Sequence, residues 1–313
     1  MPKVHDRGGR PAGPIDRAEH QYTIWEKRTD ALMQLLRVKG ISVVDETRRT
    51  IEALEPKRYE SLRYYEKWST AIESLLVEKG VLTSQEIDAH QIRIAGDQRL
   101  ASSAYKRHAE GHDHEHLPAD ERLELGPFEQ RVDAIQAALV EKQVLTADEV
   151  RRQIEWWDER SPALGAKVVA RAWVDSDYKQ RLLIDAKAAC REINVDPGGI
   201  EHLVALENTV EVHHLVVCTL CSCYPRPILG LPPDWYKSLA YRSRAVVEPR
   251  GVLREFGLEL PESVEVRVVD STADTRYLVL PLQPPGTAGW SEDRLAGIVT
   301  RDCMIGVAQP IAG

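Results

Sequence analysis

One short pattern occurs three times in this chain and predicts pairs of helices. In each copy an amphipathic helix ends at a Lys-Gly-type stop, and a new helix begins a few residues later. The copies start at Leu35 (Leu-Leu-Arg-Val-Lys-Gly-Ile-Ser), Leu75 (Leu-Leu-Val-Glu-Lys-Gly-Val-Leu-Thr) and Ala138 (Ala-Leu-Val-Glu-Lys-Gln-Val-Leu-Thr). The repeats predict antiparallel helix packing, with an all-helical module over residues 18–100 and further helices over 127–193.

The residues at these joints have the chemistry of helix ends. Gly40 and Gly80 suit the left-handed conformation that often follows the last helical residue. Two of the joints also contain a capping box, in which each side chain can bond the other's backbone amide. These pairs are Thr83 with Glu86 and Thr146 with Glu149.

The second half of the chain contains segments typical of strands. Residues 264–269 alternate between polar and apolar side chains, and residues 277–282 are a nearly continuous apolar run. Residues 304–308 predict a further strand. Together with residues 210–217 they predict a sheet layer, with the helices of 127–193 as a second layer. The predicted fold class is therefore α+β.

Three cysteines within six residues indicate a metal site. Cys218, Cys221 and Cys223 form a C-x-x-C-x-C pattern, and one tight loop with this spacing can turn three soft thiolates and the peptide nitrogens between them toward one ion. A structural zinc site would need a fourth side-chain ligand, and no second C-x-x-C is present. His213 and His214 lie in a strand-like apolar run, where a histidine is more often a strand residue than a ligand.

Composition excludes several classes of protein. An odd number of cysteines, five, with three of them clustered, argues against a disulfide scaffold. The net charge of −8 leaves no basic footprint for nucleic acid or an anionic membrane. The polar N-terminus lacks the apolar core of a signal peptide, and no run of about 18 apolar residues occurs. We therefore expect a soluble cytoplasmic protein.

The cysteine loop and the residues after it resemble the nitrile hydratase family. Residues 216–230 (Val-Val-Cys-Thr-Leu-Cys-Ser-Cys-Tyr-Pro-Arg-Pro-Ile-Leu-Gly), 229–237 and 241–250 are similar to the metal-carrying α subunit and to its relative, the γ subunit of thiocyanate hydrolase. Residues 270–277, 286–290 and 299–302 match C-terminal motifs of the same subunit. The resemblance implies a layered αββα domain.

The resemblance also implies a ligand set. In the family, a non-corrinoid trivalent cobalt or iron ion, one per chain, is held by three cysteine sulfurs and two backbone amides. Here these are the sulfurs of Cys218, Cys221 and Cys223 and the amides of Ser222 and Cys223. Thr219 resembles the cobalt branch. The family chemistry further implies that Cys221 is a sulfinic acid, Cys223 a sulfenic acid and Cys218 an unmodified thiolate.

The first part of the chain resembles a different subunit. Residues 4–9, 45–56, 64–68 and 76–83 are similar to the N-terminal half of the nitrile hydratase β subunit. The predicted domains are a helical β-like domain (1–105), a His-rich linker (106–126) and an α-like metal domain (127–313). The SH3-like C-terminal half of the β subunit is missing. This implies a separate subunit that carries it, and the family also implies a cobalt-loading activator protein.

Some site residues and the linker allow two interpretations. The resemblance gives Arg48 the role of a β-subunit arginine that bonds the oxidised sulfurs, whereas its chemistry alone predicts a solvated helix face. Tyr64 matches a tyrosine that lines the substrate pocket near Ser222, but alone it is a packing aromatic beside Trp68. Alternating His and acidic residues over 108–116 could capture a divalent metal, although a solvated linker is the simpler interpretation.

The family implies hydration of a C≡N bond, nitrile to amide, with the Cys223 sulfenate as nucleophile or base. The alternative is thiocyanate hydrolysis to carbonyl sulfide and ammonia, because Tyr224-Pro-Arg-Pro227 is similar to that enzyme. Arg226 would favour an anionic substrate, or it could pair with a carboxylate at a subunit contact. A non-enzymatic metal-binding or carrier protein stays open, and it would release its metal readily.

Overall fold

The computed structural model describes residues 5–19, 21–109 and 126–312, which form two compact units. One unit is Gln21–Glu155, and the other joins the residues before Gln21 to Trp156–Gly313. Residues 127–155 thus pack with the helices that precede them, and the first segment packs with residues after 156. The predicted domain boundaries divide the sequence by resemblance and stay a prediction. Most of the His-rich segment lies outside the described residues.

The helical unit consists of helix pairs, as the repeats predict. Its helices are α1 (Ile24–Val38), α2 (Val44–Glu52), α3 (Pro56–Ser61), α4 (Tyr64–Glu78), α5 (Ser84–Ala109), α6 (Pro127–Glu141) and all but the last three residues of α7 (Ala147–Asp158). Gly40 and Gly80 have φ values of 69° and 68°, which confirms the predicted left-handed residues. The Thr83 amide donates to the Glu86 carboxylate at 2.7 Å, and Thr146 and Glu149 repeat this bond at 2.7 Å.

Apolar side chains from all of the helix pairs share one core. The buried members include Leu32, Leu36, Ile72, Leu76, Leu82, Ile87, Ile135, Leu139, Leu145 and Val150. Each such side chain contributes roughly 1.5–3 kcal/mol when it leaves water. Burial of the apolar faces, rather than local propensity, therefore holds this unit together.

The other unit combines short helices with strands. Its helices are α8 (Pro162–Val174), α9 (Ser176–Ile184), α10 (Ala186–Glu192), α11 (Arg226–Leu229), α12 (Asp234–Lys237), α13 (Leu239–Arg244), α14 (Pro249–Glu255), α15 (Glu292–Ala296) and α16 (Arg301–Ile305). Asp175 and Asp185 cap α9 and α10, because each carboxylate accepts a backbone N–H of the following first turn at 2.9 Å. These two caps set the sharp corners between α8, α9 and α10.

Four strands form two parallel pairs. The strands are β1 (His202–Glu207), β2 (Val212–Val217), β3 (Glu265–Asp270) and β4 (Thr275–Leu280). β1 pairs with β4, and β2 pairs with β3 so that Val217 lies opposite Asp270. The strands predicted over 210–217, 264–269 and 277–282 are confirmed, as is the α+β class. β1 was not predicted.

The strand predicted over 304–308 is wrong, because Met304 and Ile305 belong to the helix α16. Thr300 caps this helix by accepting the Cys303 amide at 3.3 Å. The helix ends at Gly306, whose φ is 90° and where an added Cβ would lie 1.9 Å from the His214 carbonyl oxygen. A short apolar run cannot by itself distinguish a buried helix from a strand.

An aromatic cluster lies in the core of this unit. Trp235 packs edge-on against Tyr241 and Tyr236, with ring centroids 4.9 and 6.0 Å apart. These rings are buried together with Leu215, Val216 and Val217 of β2, which leads into the cysteine loop. The loop therefore starts from a rigid, apolar base. No helix among the described residues is long and apolar enough to cross a membrane.

Candidate metal centre

The three predicted cysteine ligands lie together at the end of β2. The sulfur of Cys221 is 3.4 Å from that of Cys218 and 3.3 Å from that of Cys223. All three sulfurs lie within 4.8 Å of one another, and within the described part of the chain this is the cluster of side chains arranged to hold a metal ion. Cys218 and Cys223 are buried, whereas Cys221 is partly exposed.

The environment of these thiols favours a bound cation. The hydrogen bond with Cys221 raises the pKa of Cys218 to about 12, and the hydrogen bond that the Cys223 thiol donates to Cys218 raises the pKa of Cys223. Three ionised thiolates in so small a space would repel one another strongly. A metal ion removes that repulsion by coordinating the deprotonated sulfurs. Three clustered soft donors therefore fit a thiophilic transition metal.

Asp270 fixes the start of the loop. It is the last residue of β3, and the parallel pairing places it opposite Val217. Its carboxylate accepts the Thr219 amide at 3.0 Å and the Thr219 hydroxyl at 2.5 Å. A charged acceptor that binds two donors of one residue holds that residue firmly. Thr219 thus anchors the loop between the first two cysteines.

Other buried side chains hold the loop backbone. The Arg242 guanidinium donates to the carbonyl oxygens of Cys218 at 3.1 Å and Thr219 at 2.8 Å. The Tyr236 hydroxyl donates to the Cys223 carbonyl at 2.7 Å, and the Tyr241 hydroxyl donates to the Val216 carbonyl at 2.6 Å. Tyr236, Tyr241 and Arg242 are 0%, 0% and 4% exposed. The sequence did not predict a role for these residues or for Asp270, since their only signal was that they lie within segments that resemble the family.

The start of the chain also contacts the loop. The Arg7 amide donates to the Thr219 carbonyl at 3.3 Å, and Arg242 donates to the His5 carbonyl at 2.9 Å. A Cβ added to Gly8 would lie 3.3 Å from Cγ2 of Thr219, so glycine allows this close approach. We call residues 5–10 the N-terminal arm. Its His-Asp-Arg-Gly-Gly sequence resembles the β subunit, yet it packs against the α-like loop of the same unit.

The two histidines before the loop have structural partners. Nε2 of His213 lies 2.7 Å from the Gly306 carbonyl oxygen and Nδ1 lies 3.1 Å from the Asn208 amide nitrogen. Since a carbonyl only accepts, Nε2 is the donor and Nδ1 the acceptor. The Asn208 side-chain oxygen in turn accepts the His214 amide at 2.8 Å. Their interpretation as strand residues is confirmed.

The remaining predicted residues of this unit lie in the cysteine loop and just after it. Ser222 is 5% exposed. Arg226 is the first residue of α11, and its guanidinium carbon lies 5.9 Å from the centroid of the Trp157 ring. This cation–π contact stabilises the arginine in place. The role of Arg226 in substrate choice stays a prediction.

Arg48 and Tyr64 belong to the helical unit. The side chain of Arg48, in α2, is only 15% exposed, with one guanidinium nitrogen 3.9 Å from the Asp45 carboxylate. It is therefore not on a solvated helix face. Tyr64 begins α4, and its ring centroid is 5.0 Å from that of Tyr65 and 5.8 Å from that of Trp68. Their roles toward the metal loop stay predictions.

Two family models match the chain. The model described as "Nitrile hydratase, alpha chain" matches residues 126–308, and "Nitrile hydratase beta subunit, N-terminal" matches residues 1–111. The low-molecular-weight cobalt-containing nitrile hydratase α subunit of Rhodococcus rhodochrous is 55% identical over 181 residues, which is 58% of this chain and 87% of the relative. The thiocyanate hydrolase γ subunit of Thiobacillus thioparus is 44% identical over 207 residues, 63% of this chain and 85% of the relative.

The β-type similarity covers less of its relatives. The nitrile hydratase β subunit of Pseudomonas putida is 38% identical over 91 residues, and the match covers 28% of this chain and 42% of that subunit. Among solved structures, a recombinant thiocyanate hydrolase with partially modified cobalt centres matches with a TM-score of 0.59 and 43% identity. That match covers 61% of this chain and 93% of the other.

Proposed function

The chain belongs to the nitrile hydratase α-chain family, and on this premise we propose that it is the metal-carrying subunit of an enzyme that hydrates a C≡N bond, nitrile to amide. The single observation that carries this proposal is the cluster of three sulfurs within 4.8 Å on a loop braced by buried hydrogen bonds. The identity of 55% with a cobalt-containing α subunit over almost its whole length supports it.

The sulfurs of Cys218, Cys221 and Cys223 would hold the metal, with the backbone amides of Ser222 and Cys223 completing the set. We propose cobalt, because relatives similar over 87% and 88% of their length are named cobalt-containing; iron is the alternative. When bound, the trivalent ion supplies Lewis acidity to the substrate or to water. The chain's own residues hold the donors in place and keep the inner side of the loop dry.

The burial of the cysteines supports different fates for Cys218 and Cys221, whereas Cys223 is also buried and is assigned from the family resemblance. Cys218 is 0% exposed and faces the core, which favours an unmodified thiolate. Cys221 is partly exposed and its neighbour Leu220 is 38% exposed, so this side of the loop is open to small molecules. We propose Cys221 as the sulfinic and Cys223 as the sulfenic acid. The Cys223 oxygen would then act as nucleophile or base.

The remaining participants come from the β-type half and from other chains. Arg48, a forked and permanently charged donor, would bond an oxidised sulfur, and Tyr64 would line the substrate pocket with Ser222. Because the match covers only 42% of a β subunit, we propose a separate subunit that carries the SH3-like remainder. We also propose an activator protein that loads the cobalt. We propose a cytoplasmic location, which cell fractionation would test.

Thiocyanate hydrolysis is the second candidate. It is favoured by the 44% identity with the γ subunit of that enzyme and by Arg226 in Tyr224-Pro-Arg-Pro227. A guanidinium that recognises thiocyanate contributes roughly 1.5–3 kcal/mol, or about 10- to 100-fold in discrimination. Arg226→Trp is thus expected to shift preference toward neutral nitriles.

The test is an assay of the wild type and Arg226→Trp, each co-expressed with the subunit that carries the SH3-like half, on thiocyanate and on a small neutral nitrile. Metal analysis of the same samples should find about one cobalt per chain. Turnover of neither substrate, or zinc that a mild chelator removes, would refute the enzymatic proposal and favour a carrier. Nitrile hydration without thiocyanate turnover in either form would leave Arg226 a structural contact.

A further inference from the structure

A groove in the helical unit has room for a small ligand. It lies between α1, α6 and α7 and has a volume of about 340 Å³. Its apolar lining includes Val150, which is 2% exposed, together with Ile154 and Ile24. Small-molecule sites typically have volumes of roughly 300–1,000 Å³ and an apolar lining with a few polar groups. We call this site the α1–α6–α7 groove.

Two polar side chains of the groove carry buried atoms that lack a hydrogen-bond partner among the described residues. Nε of Arg28, in α1, is such a donor, and Oε1 of Gln136, in α6, is such an acceptor. Buried polar atoms in folded proteins are nearly always bonded, so two unpartnered atoms on residues of one groove require an explanation. Burial also lowers the pKa of Arg28, because its guanidinium is withdrawn from water. The groove therefore offers one donor and one acceptor to a ligand.

The two arginines of the groove already have carboxylate partners. Arg28 pairs with Asp133. Arg151, which also lines the groove, donates to Asp148 at 2.5 Å and to Glu155 at 2.6 Å. A ligand with a negative charge would meet these three carboxylates, while both guanidiniums are already neutralised. The groove thus fits a neutral ligand.

A primary carboxamide suits both unpartnered atoms. Its carbonyl oxygen can accept the Nε–H of Arg28, and its N–H can donate to Oε1 of Gln136. A short alkyl chain on the amide would pack against Val150 and Ile154. A ketone or a carboxylate lacks the N–H that Gln136 needs, and the carboxylate adds an unfavourable charge. The donor, the acceptor and the charge of the groove therefore select the same class of compound.

We propose that the α1–α6–α7 groove binds a neutral primary amide with a short alkyl chain, with Arg28 and Gln136 as its polar anchors. The site belongs to the helical unit and uses none of the residues assigned to the metal centre or to the substrate pocket. The inference is independent of the proposed catalytic activity, although an amide formed by that activity is one source of such a ligand.

The test is a titration of the full chain with hexanamide, followed by ligand-observed NMR. We expect saturable binding with a dissociation constant of about 0.1–5 mM, as is typical of a ligand of this size. Two probes of similar size isolate the polar contacts. Heptan-2-one keeps the carbonyl but has a methyl group in place of the NH₂, and hexanoate has a carboxylate in place of the amide. Each should bind at least about 10-fold more weakly than hexanamide.

The variant Gln136→Leu removes the acceptor. It should weaken hexanamide binding about 10-fold and leave heptan-2-one binding unchanged within about twofold, because the ketone makes no bond with Gln136. Gln153→Leu is the matched control, since it makes the same change in α7 outside the lining of the groove. It should leave both affinities unchanged within about 1.5-fold. This contrast assigns the amide to the groove rather than to the cysteine loop.

A second variant, Ala147→Trp, fills the groove from an exposed position of its lining. It should abolish hexanamide binding while the urea midpoint of the protein stays close to that of the wild type. Absence of saturable binding up to about 20 mM hexanamide would overturn the proposal. Equal affinities for hexanamide and heptan-2-one would overturn it too, as would normal hexanamide binding by Gln136→Leu and Ala147→Trp.

Discussion

The helical unit and the cysteine loop are held by contacts that span different distances along the chain. In the helical unit each capping glutamate bonds an amide three residues before it, as Glu86 does with Thr83. In the metal loop, Arg242 joins Cys218 to His5, which lie 24 and 237 residues away along the chain. A repeated local pattern can therefore build the first region, whereas the second exists only when distant segments meet.

The two regions also differ in burial. The lysines and glutamates that form ion pairs between the helix joints are partly exposed. When one partner is removed, water solvates the remaining charge and offsets much of the lost interaction. Arg242 is 4% exposed, and its partners are backbone carbonyls inside the protein. Removing a buried donor leaves acceptors without hydrogen bonds and costs more. We therefore expect substitutions around the cysteine loop to change the unfolding free energy strongly and substitutions at the helix joints to change it little.

The largest expected effect is that of Arg242→Met. It removes the donor shared by the carbonyls of Cys218, Thr219 and His5, and should cost at least about 3 kcal/mol in unfolding free energy. The protein should also retain little metal. Urea unfolding and metal analysis measure both.

Arg267→Met is the control, because Arg267 is 53% exposed and pairs at 2.8 Å with the exposed Glu265. It should cost less than about 0.5 kcal/mol. If both variants lose stability equally, burial does not distinguish the loop from the surface.

An intermediate effect is expected for Gly8→Val in the N-terminal arm. An added Cβ would lie 3.3 Å from Thr219 Cγ2, so a branched side chain must push the arm from the loop. We expect a loss of about 1–2 kcal/mol and faster protease cleavage of the arm. Gly13→Val should have little effect, since no atom lies within 4 Å of its added Cβ. Protection of the arm in both variants would show that its contacts are not needed.

A smaller, opposite effect should follow from Gln143→Gly at the third helix joint. Gln143 has a φ of 58°, a conformation that costs a residue with a Cβ more than it costs glycine. The substitution should stabilise the helical unit by about 0.5–1 kcal/mol, measured by urea unfolding. Gly40→Gln makes the reverse change at the equivalent position and should destabilise. Destabilisation by Gln143→Gly would mean that the joint depends on the glutamine side chain.

The smallest expected effect is the dependence of stability on pH that Glu86 contributes. Hydrogen bonds from Lys142 and then from the Thr83 amide lower the pKa of Glu86 from 4.5 to about 2. A lowered carboxyl pKa stabilises the fold fully above 4.5, and that contribution is lost as the pH falls toward 2. The difference in urea midpoint between wild type and Glu86→Gln should therefore shrink across this window. A difference that stays constant would indicate that the charge of Glu86 is irrelevant.

Sequence reasoning was most successful where neighbouring residues decide the structure. The helix joints, their left-handed glycines and the capping boxes follow from residues only a few positions apart, and the structure contains them. The same holds for the cysteine loop, because its three donors lie within six residues. The sequence-based prediction failed at Met304 and Ile305, because a short apolar run is compatible with a strand and with a buried helix.

The support of the cysteine loop was decided by tertiary structure alone. Asp270 reaches Thr219 because β3 pairs with β2 in one register, and Arg242 reaches His5 because the N-terminal arm packs on the same unit. No spacing or periodicity encodes such contacts, since a hydrogen bond depends on where two distant parts of the chain are brought by packing. The sequence by itself thus determined which residues could bind a metal, and the fold decided what holds them in position.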